Sequence, residues 1–235
     1  MVAMIEIDGV RPSADIRDDL AASGEPVLLA MSGGKDALAA WVALRDAGVD
    51  VRPYYMYLVP GLRFVDESLA RIEEHFGRRV ARYPHPSLYR WLNAFTFQAP
   101  ERLAVIEAAR LPTPTYDQIV SLIREDFGLP TSTWVADGVR AADSPVRRVS
   151  IVRHGAMKPG KRKVSPIWDW RKRDVLDSLA SDGIPLPPEY EWFGRSFDGL
   201  DYRFLEPLSR HAQDDYARII EWFPLAELEL VRRGI

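Results

Sequence analysis

Between residues 32 and 37 the chain reads Ser-Gly-Gly-Lys-Asp-Ala, directly after the apolar run Val27 to Met31 and directly before a stretch with helical spacing. Two glycines let a backbone take left-handed torsions and approach a ligand closely. The first turn of a helix offers unpaired N–H groups and the positive end of its dipole. With the Lys35 cation added, this is the chemistry of a phosphate cradle built from Ser32, Gly33, Gly34, Lys35 and Asp36. The turn has neither the spacer of a Walker A loop nor the G-x-G-x-x-G of a dinucleotide fold. A plain strand-to-helix joint, with Lys35 and Asp36 solvated, is the simpler alternative for a Gly-Gly turn taken alone. A second polar turn follows another apolar stretch in WVADGVRAADSPVRR, residues 134–148, which carries Gly138, Arg140, Asp143, Ser144, Arg147 and Arg148. Arginines at the carboxyl end of a parallel strand face the crevice where such sheets take ligands, and they suit an anion. As surface ion-pair residues they need no ligand at all.

The elements that must hold these turns are legible from periodicity. Ser13 reads as the N-cap of a short helix in which Ile16 and Leu20 share a face, ended by Gly24. The strand Val27 to Met31 precedes the glycine turn, and Leu38, Trp41, Val42 and Arg45 then keep helical spacing up to Gly48. A strand over about 49–59, a helix over about 65–76 and a strand over 79–83 follow. Strand and helix in alternation predict a doubly wound, mostly parallel α/β sheet. Residues 86–130 read as a helical insert punctuated by prolines, and Trp134 to Ala136 as a further strand. Residues 149–152 and 163–167 read as an extended pair around a basic loop, and the chain from about His211 as helical. The expected organisation is an α/β domain over 1–190 and a helical C-terminal extension over 191–235.

SGGKDA resembles the PP-loop of the ATP pyrophosphatase superfamily, whose usual form ends in Ser where this chain has Ala37. The resemblance implies a Rossmann-like sheet, a cradle for the pyrophosphate end of ATP, Lys35 as a cation for the phosphates, and Asp36 as a loop organiser or Mg²⁺ ligand. Losing the hydroxyl at 37 removes one phosphate hydrogen bond, worth about 1 kcal/mol. Gly138, Arg140, Asp143, Ser144 and Arg147 match the G-x-R-x-x-[ED]-S-x-x-R string of the phosphoadenosine phosphosulfate (PAPS) reductase branch. KVSPIWDWRKRDVLDSLASDGIPLPPEY, residues 163–190, is also similar to that branch. The resemblance spans roughly residues 26–190, leaving the helical insert unmatched. Trp168 and Trp170 read as packing.

The chain of 235 residues has no cysteine, which removes the thiolate that sulfonucleotide reductases of this family use, as well as cysteine-held iron–sulfur clusters and zinc. Its four histidines are scattered without metal-binding spacing. The net charge of −3 argues against a broadly basic surface and leaves room for a local patch. The loop with Lys158, Lys161, Arg162 and Lys163 reads first as a solvated hairpin tip and second as a contact for a nucleic-acid backbone or a bulky anion. No membrane span or signal peptide is legible, so a cytoplasmic protein is expected. The resemblance without cysteine also carries an association with phage settings.

The function expected from the resemblance is that of an adenylating ATP pyrophosphatase. Lys35, Asp36, Arg140 and Arg147 would act on Mg·ATP and an unidentified second substrate. A PAPS-binding protein that takes its thiol from a partner, and a non-catalytic binding or assembly protein, are the alternatives. Homo-oligomeric assembly is left open.

Overall fold

The computed structural model describes residues 4–234. In chain order its elements are α1 (Ser13–Ala22), β1 (Val27–Met31), α2 (Lys35–Asp46), β2 (Val51–Tyr57), α3 (Arg63–Phe76), β3 (Ala81–Pro84), α4 (Pro86–Asn93), α5 (Leu103–Ala109), α6 (Tyr116–Asp126) and β4 (Val135–Ala136). They continue with α7 (Pro145–His154), β5 (Met157–Lys158), β6 (Lys163–Val164), α8 (Lys172–Ser181), α9 (Glu189–Phe193), α10 (Tyr202–His211), α11 (Gln213–Trp222) and α12 (Leu228–Val231). The chain divides into two compact units. The first takes in the chain up to Tyr55, Arg79–Ala81 and Gly128–Leu186; the second takes in Met56–Arg78, Arg82–Phe127 and the chain from Pro187 onward.

The sheet has the order β3-β2-β1-β4-β6-β5. β1 pairs in parallel with β2, Met31 opposite Tyr55, and with β4, Leu29 opposite Ala136. β4 pairs in parallel with β6, and only the edge strand β5 runs antiparallel, Met157 opposite Val164. Val27, Leu28 and Leu29 are at most 1% exposed, which explains why β1 is an unbroken apolar run: both faces of a central parallel strand are covered. From β1 the chain travels toward β2 on one side, and from β4 toward β6 on the other. With right-handed crossovers, opposite directions of travel put the connecting helices on opposite faces and open a crevice at the carboxyl ends of β1 and β4. The doubly wound class expected from alternation is the observed one.

In the first unit α2 is buried all along Ala37 to Leu44, and its alanines let it lie close to α8. Arg45 locks the pair with two hydrogen bonds to Asp182, at 2.9 and 2.6 Å. Ser13 corrects the expected N-cap. Pro12 takes that position, and buried Ser13 donates instead to Asp169, Oγ to Oδ1 at 2.5 Å and N to Oδ2 at 2.9 Å, tying α1 to the Trp-rich segment. Trp168 is 1% exposed and donates Nε1–H to the Arg11 carbonyl, so it is a packing residue, and Trp170 is 9% exposed.

Two further expectations differ from the structure. Residues 149–152 are helical, within α7, and the extended pair is the shorter β5 and β6. Ser144 caps that helix by accepting from Arg147 N, and Pro145 sits at its first position, where a missing N–H costs nothing; together they override the β preference of the valines. The C-terminal helices also share one unit with the helical middle rather than forming a separate extension. Phe197, Phe204, Leu205, Leu208, Ile219 and Phe223 are core residues of that unit beside Leu58, Phe64 and Leu88.

Candidate functional site

Both polar turns read from the sequence open at the crevice between β1 and β4, inside the first unit. After Met31 the chain turns through Ser32, whose Oγ accepts from Gly34 N at 3.3 Å, and through Gly33, which takes φ +71°. That left-handed torsion is what glycine supplies at little cost. Gly34 is the extended N-cap of α2 and makes no side-chain cap hydrogen bond, whereas α4, α6, α7 and α10 are each capped by a side chain. Gly34 therefore offers no side-chain oxygen to the start of α2, where the N–H groups of a helix lack intrahelical acceptors.

Lys35 and Asp36 occupy the first turn of α2. Lys35 Nζ lies 2.6 Å from Asp36 Oδ2. Arg140 Nε lies 3.0 Å from Asp36 Oδ1, close enough for an ion pair but misaligned for a hydrogen bond. Asp36 is thus held between one cation from its own helix and one from the turn after β4.

Gly138 explains why these two turns meet. A Cβ built there would fall 2.6 Å from the Asp36 carbonyl carbon and 2.8 Å from Ala37 N, so the turn after β4 rests directly on the backbone of α2. Only glycine permits that approach without a shift. Ala37, expected as a departure from the usual hydroxyl, is 3% exposed at this contact.

Arg140 is 4% exposed, an unusual state for an arginine, which is almost never buried unpaired. Asp143 holds it twice, accepting from Arg140 N at 3.1 Å and from Nη2 at 2.6 Å, and also accepts from Arg147 Nη1 at 2.8 Å. Even so, Nε and Nη1 of Arg140 have no hydrogen-bond partner, although both are buried. Buried donors left unpaired are rare in native folds and point to a group that would complete them. The structure therefore brings Asp36, Gly138, Arg140, Asp143 and Arg147 together, and gives Ser144 the work of a helix cap.

Asp137 is a residue that sequence reasoning passed over. It follows β4 directly, one position before Gly138, half-buried, and its Oδ1 accepts from Ser165 Oγ at 2.8 Å and Val139 N at 3.1 Å. Burial pushes its pKa up, and the Ser165 and Val139 hydrogen bonds and the charges of Lys158 and Lys163 oppose that shift. The only sequence signal was an acid immediately after an apolar strand.

Among the described residues no cluster of three or more His, Asp or Glu side chains could hold a metal ion. His85 is occupied otherwise. Its Nδ1 accepts from Ser87 N at 3.0 Å, so the ring proton sits on Nε2, 2.7 Å from Tyr116 Oη. No helix among the described residues is long and apolar enough to cross a membrane.

No family model matches the sequence, and no curated protein does. Among solved structures, the chain is similar to a phosphoadenylyl-sulfate (PAPS) reductase from Candida auris in a phosphate complex, at 12% identity and TM-score 0.46, over 80% of this chain and 88% of that one. It is also similar to an NH3-dependent NAD synthetase from Campylobacter jejuni subsp. jejuni NCTC 11168 in complex with the nitrate ion, at 16% identity and TM-score 0.44, over 93% and 92% of the two chains. These are similarities of chain course between sequences that share little, and what the crevice can do is decided by its own residues.

Proposed function

We propose that the protein is a PP-loop enzyme that binds Mg·ATP by its polyphosphate at the glycine turn and adenylates a second substrate. In that reaction a nucleophilic atom of the acceptor bonds to the α-phosphorus, the bond from that phosphorus to the bridging oxygen breaks, and pyrophosphate leaves. The observation that carries this reading is the buried Arg140 guanidinium, whose Nε and Nη1 make no hydrogen bond, beside a first turn of α2 that has no side-chain cap. An anionic group would complete both sets of donors at once.

Each residue then has a distinct task. Gly33 and Gly34 shape the cradle, and the first N–H groups of α2 donate to phosphate oxygens. Lys35 leaves Asp36 for the phosphates, and Arg140 and Arg147 stabilise charge that develops on the phosphoryl group. Asp36 would be a protein ligand for Mg²⁺, which takes most of its oxygens from phosphate and water when it arrives with a nucleotide. Gly138 holds the two turns in register, and Asp143 orients the arginines. No side-chain nucleophile is needed, which fits a chain without cysteine.

Calorimetric titration of Mg·ATP into the wild-type protein and Lys35→Ala tests the reading. Micromolar to millimolar binding to the first, weakened tenfold or more in the second, is the expected result, since a hydrogen bond to a charged group is worth about 1.5 to 3 kcal/mol. Equal binding to both, or no binding to either, removes it. PAPS titrated in parallel separates an adenylating enzyme from a sulfonucleotide-binding protein.

A further inference from the structure

Twenty-five consecutive residues, from Ser144 to Trp168, contain no acidic side chain in a chain that has 34. Seven of the chain's 31 lysines and arginines fall in this stretch: Arg147, Arg148, Arg153, Lys158, Lys161, Arg162 and Lys163. Without those seven, the remaining 24 cations face 34 acids, so the rest of the chain carries −10 while this segment carries +7. Segregation of that size is the sequence footprint of a polyanionic partner.

The structure gives the segment one continuous course, α7 followed by the β5–β6 hairpin at the edge of the sheet. Arg148, Arg153, Lys161 and Arg162 are exposed, and none of them forms an ion pair among the described residues. Surface arginines elsewhere do, as Arg11 with Asp19, Arg173 with Asp177, Arg203 with Asp201 and Arg218 with Glu221. Arg162 lies instead over the face of half-buried Trp134, 5.4 Å from the ring centroid. Lys158 reaches back to α7, with Nζ 3.4 Å from Ser150 Oγ, which joins helix and hairpin into one strip.

We propose that this strip binds the phosphodiester backbone of a nucleic acid. A ten-residue helix is roughly 15 Å long, the span of about two to three successive phosphates, and the hairpin tip extends the cationic track beyond it. The exposed apolar residues on α7 are Val146, Val149 and Val152. A helix lying in a bilayer interface presents Trp, Phe or Leu there, so a lipid surface fits less well than a polynucleotide. The strip begins at Arg147, in the crevice, so a strand lying along it would be led to the adenylation site; the binding itself is independent of that reading.

The test is fluorescence anisotropy of labelled 20-nucleotide single-stranded RNA, single-stranded DNA and duplex DNA with the full chain, without ATP, at a series of salt concentrations. For a single strand, the plot of log K against log salt falls with a slope near −0.7 per phosphate neutralised, so six contacts give a slope of about −4. The triple variant Arg148→Ala, Arg153→Ala, Lys161→Ala should bind at least tenfold more weakly with a slope reduced by about two. A control triple of equal charge change, Lys172→Ala, Arg173→Ala, Arg232→Ala, should bind as wild type does. The double reversal Arg148→Glu, Arg153→Glu provides a second reading, with thermal melts checking that each variant folds. Which labelled strand binds tightest tells RNA from DNA and single from double strand. No binding at 50 mM salt, equal weakening by both triples, or displacement by polyglutamate as effective as by unlabelled oligonucleotide overturns the proposal.

Discussion

At the scale of single residues, the crevice turns on where charge is buried. Asp143 accepts from Arg140 N, Arg140 Nη2 and Arg147 Nη1, so it makes the side-chain hydrogen bond to an arginine that is 4% exposed, with Asp36 adding an ion pair at 3.0 Å. Removing a partner from a buried pair costs more than the pair contributes, because the remaining charge stays desolvated. Asp143→Ala is therefore expected to lower unfolding stability by about 3 kcal/mol, measured by urea denaturation. A change below about 0.5 kcal/mol would show Arg140 free to reach solvent. His85 makes a pH prediction. Its pKa is lowered chiefly by burial and secondly by Arg90. Protonation thus favours the unfolded chain, and stability from the neutral ring is present above the unfolded pKa of about 6.5 and lost as pH falls below it. His85→Gln should flatten the stability profile on the acid side of about pH 6.5. An unchanged slope would place the acid sensitivity elsewhere.

At the scale of elements, contacts between backbones decide the site. Gly138 places the turn after β4 against the first turn of α2, where a Cβ would meet backbone at 2.6 Å. Backbone cannot rotate aside as a flexible side chain can. Gly138→Ala should cost about 1 to 3 kcal/mol and, by pushing Asp36 away from Arg140, weaken nucleotide binding by more than Lys35→Ala does. Binding retained in a folded Gly138→Ala protein would separate the two turns functionally. The same scale explains the misread at 149–152. Val149, Ile151 and Val152 suggested a strand, but Ser144 and Pro145 are helix-start signals, worth about 1 kcal/mol for the cap alone. The capping residues fixed the element and the valines followed.

At the scale of the whole molecule, the division of the chain departs from a simple series of domains. The second unit draws its core from Leu58, Val59 and Phe64, from Leu88, and from Phe197 to Leu230. A chain ended at residue 190 would remove most of the fully buried side chains of that core, including Phe204, Leu205, Leu208, Ile219 and Phe223. Such a fragment is expected to expose a large apolar surface, bind ANS and lack a single cooperative thermal transition. A soluble 1–190 fragment that unfolds cooperatively would contradict this.

By itself the sequence determined the α/β class, the strand before the glycine turn, the helix after it, and most members of the crevice. These are local consequences of apolar periodicity, of glycine torsions and of which residue types can bind an anion. Only the tertiary structure decided that Ser144 caps a helix, that Ser13 serves Asp169 rather than its own helix, that Asp137 lies beside the crevice, and that Arg140 is buried with donors to spare. Each of those depends on which residues distant in sequence come into contact, and on how much water remains around a charge once they do. Neither quantity is encoded in spacing along the chain.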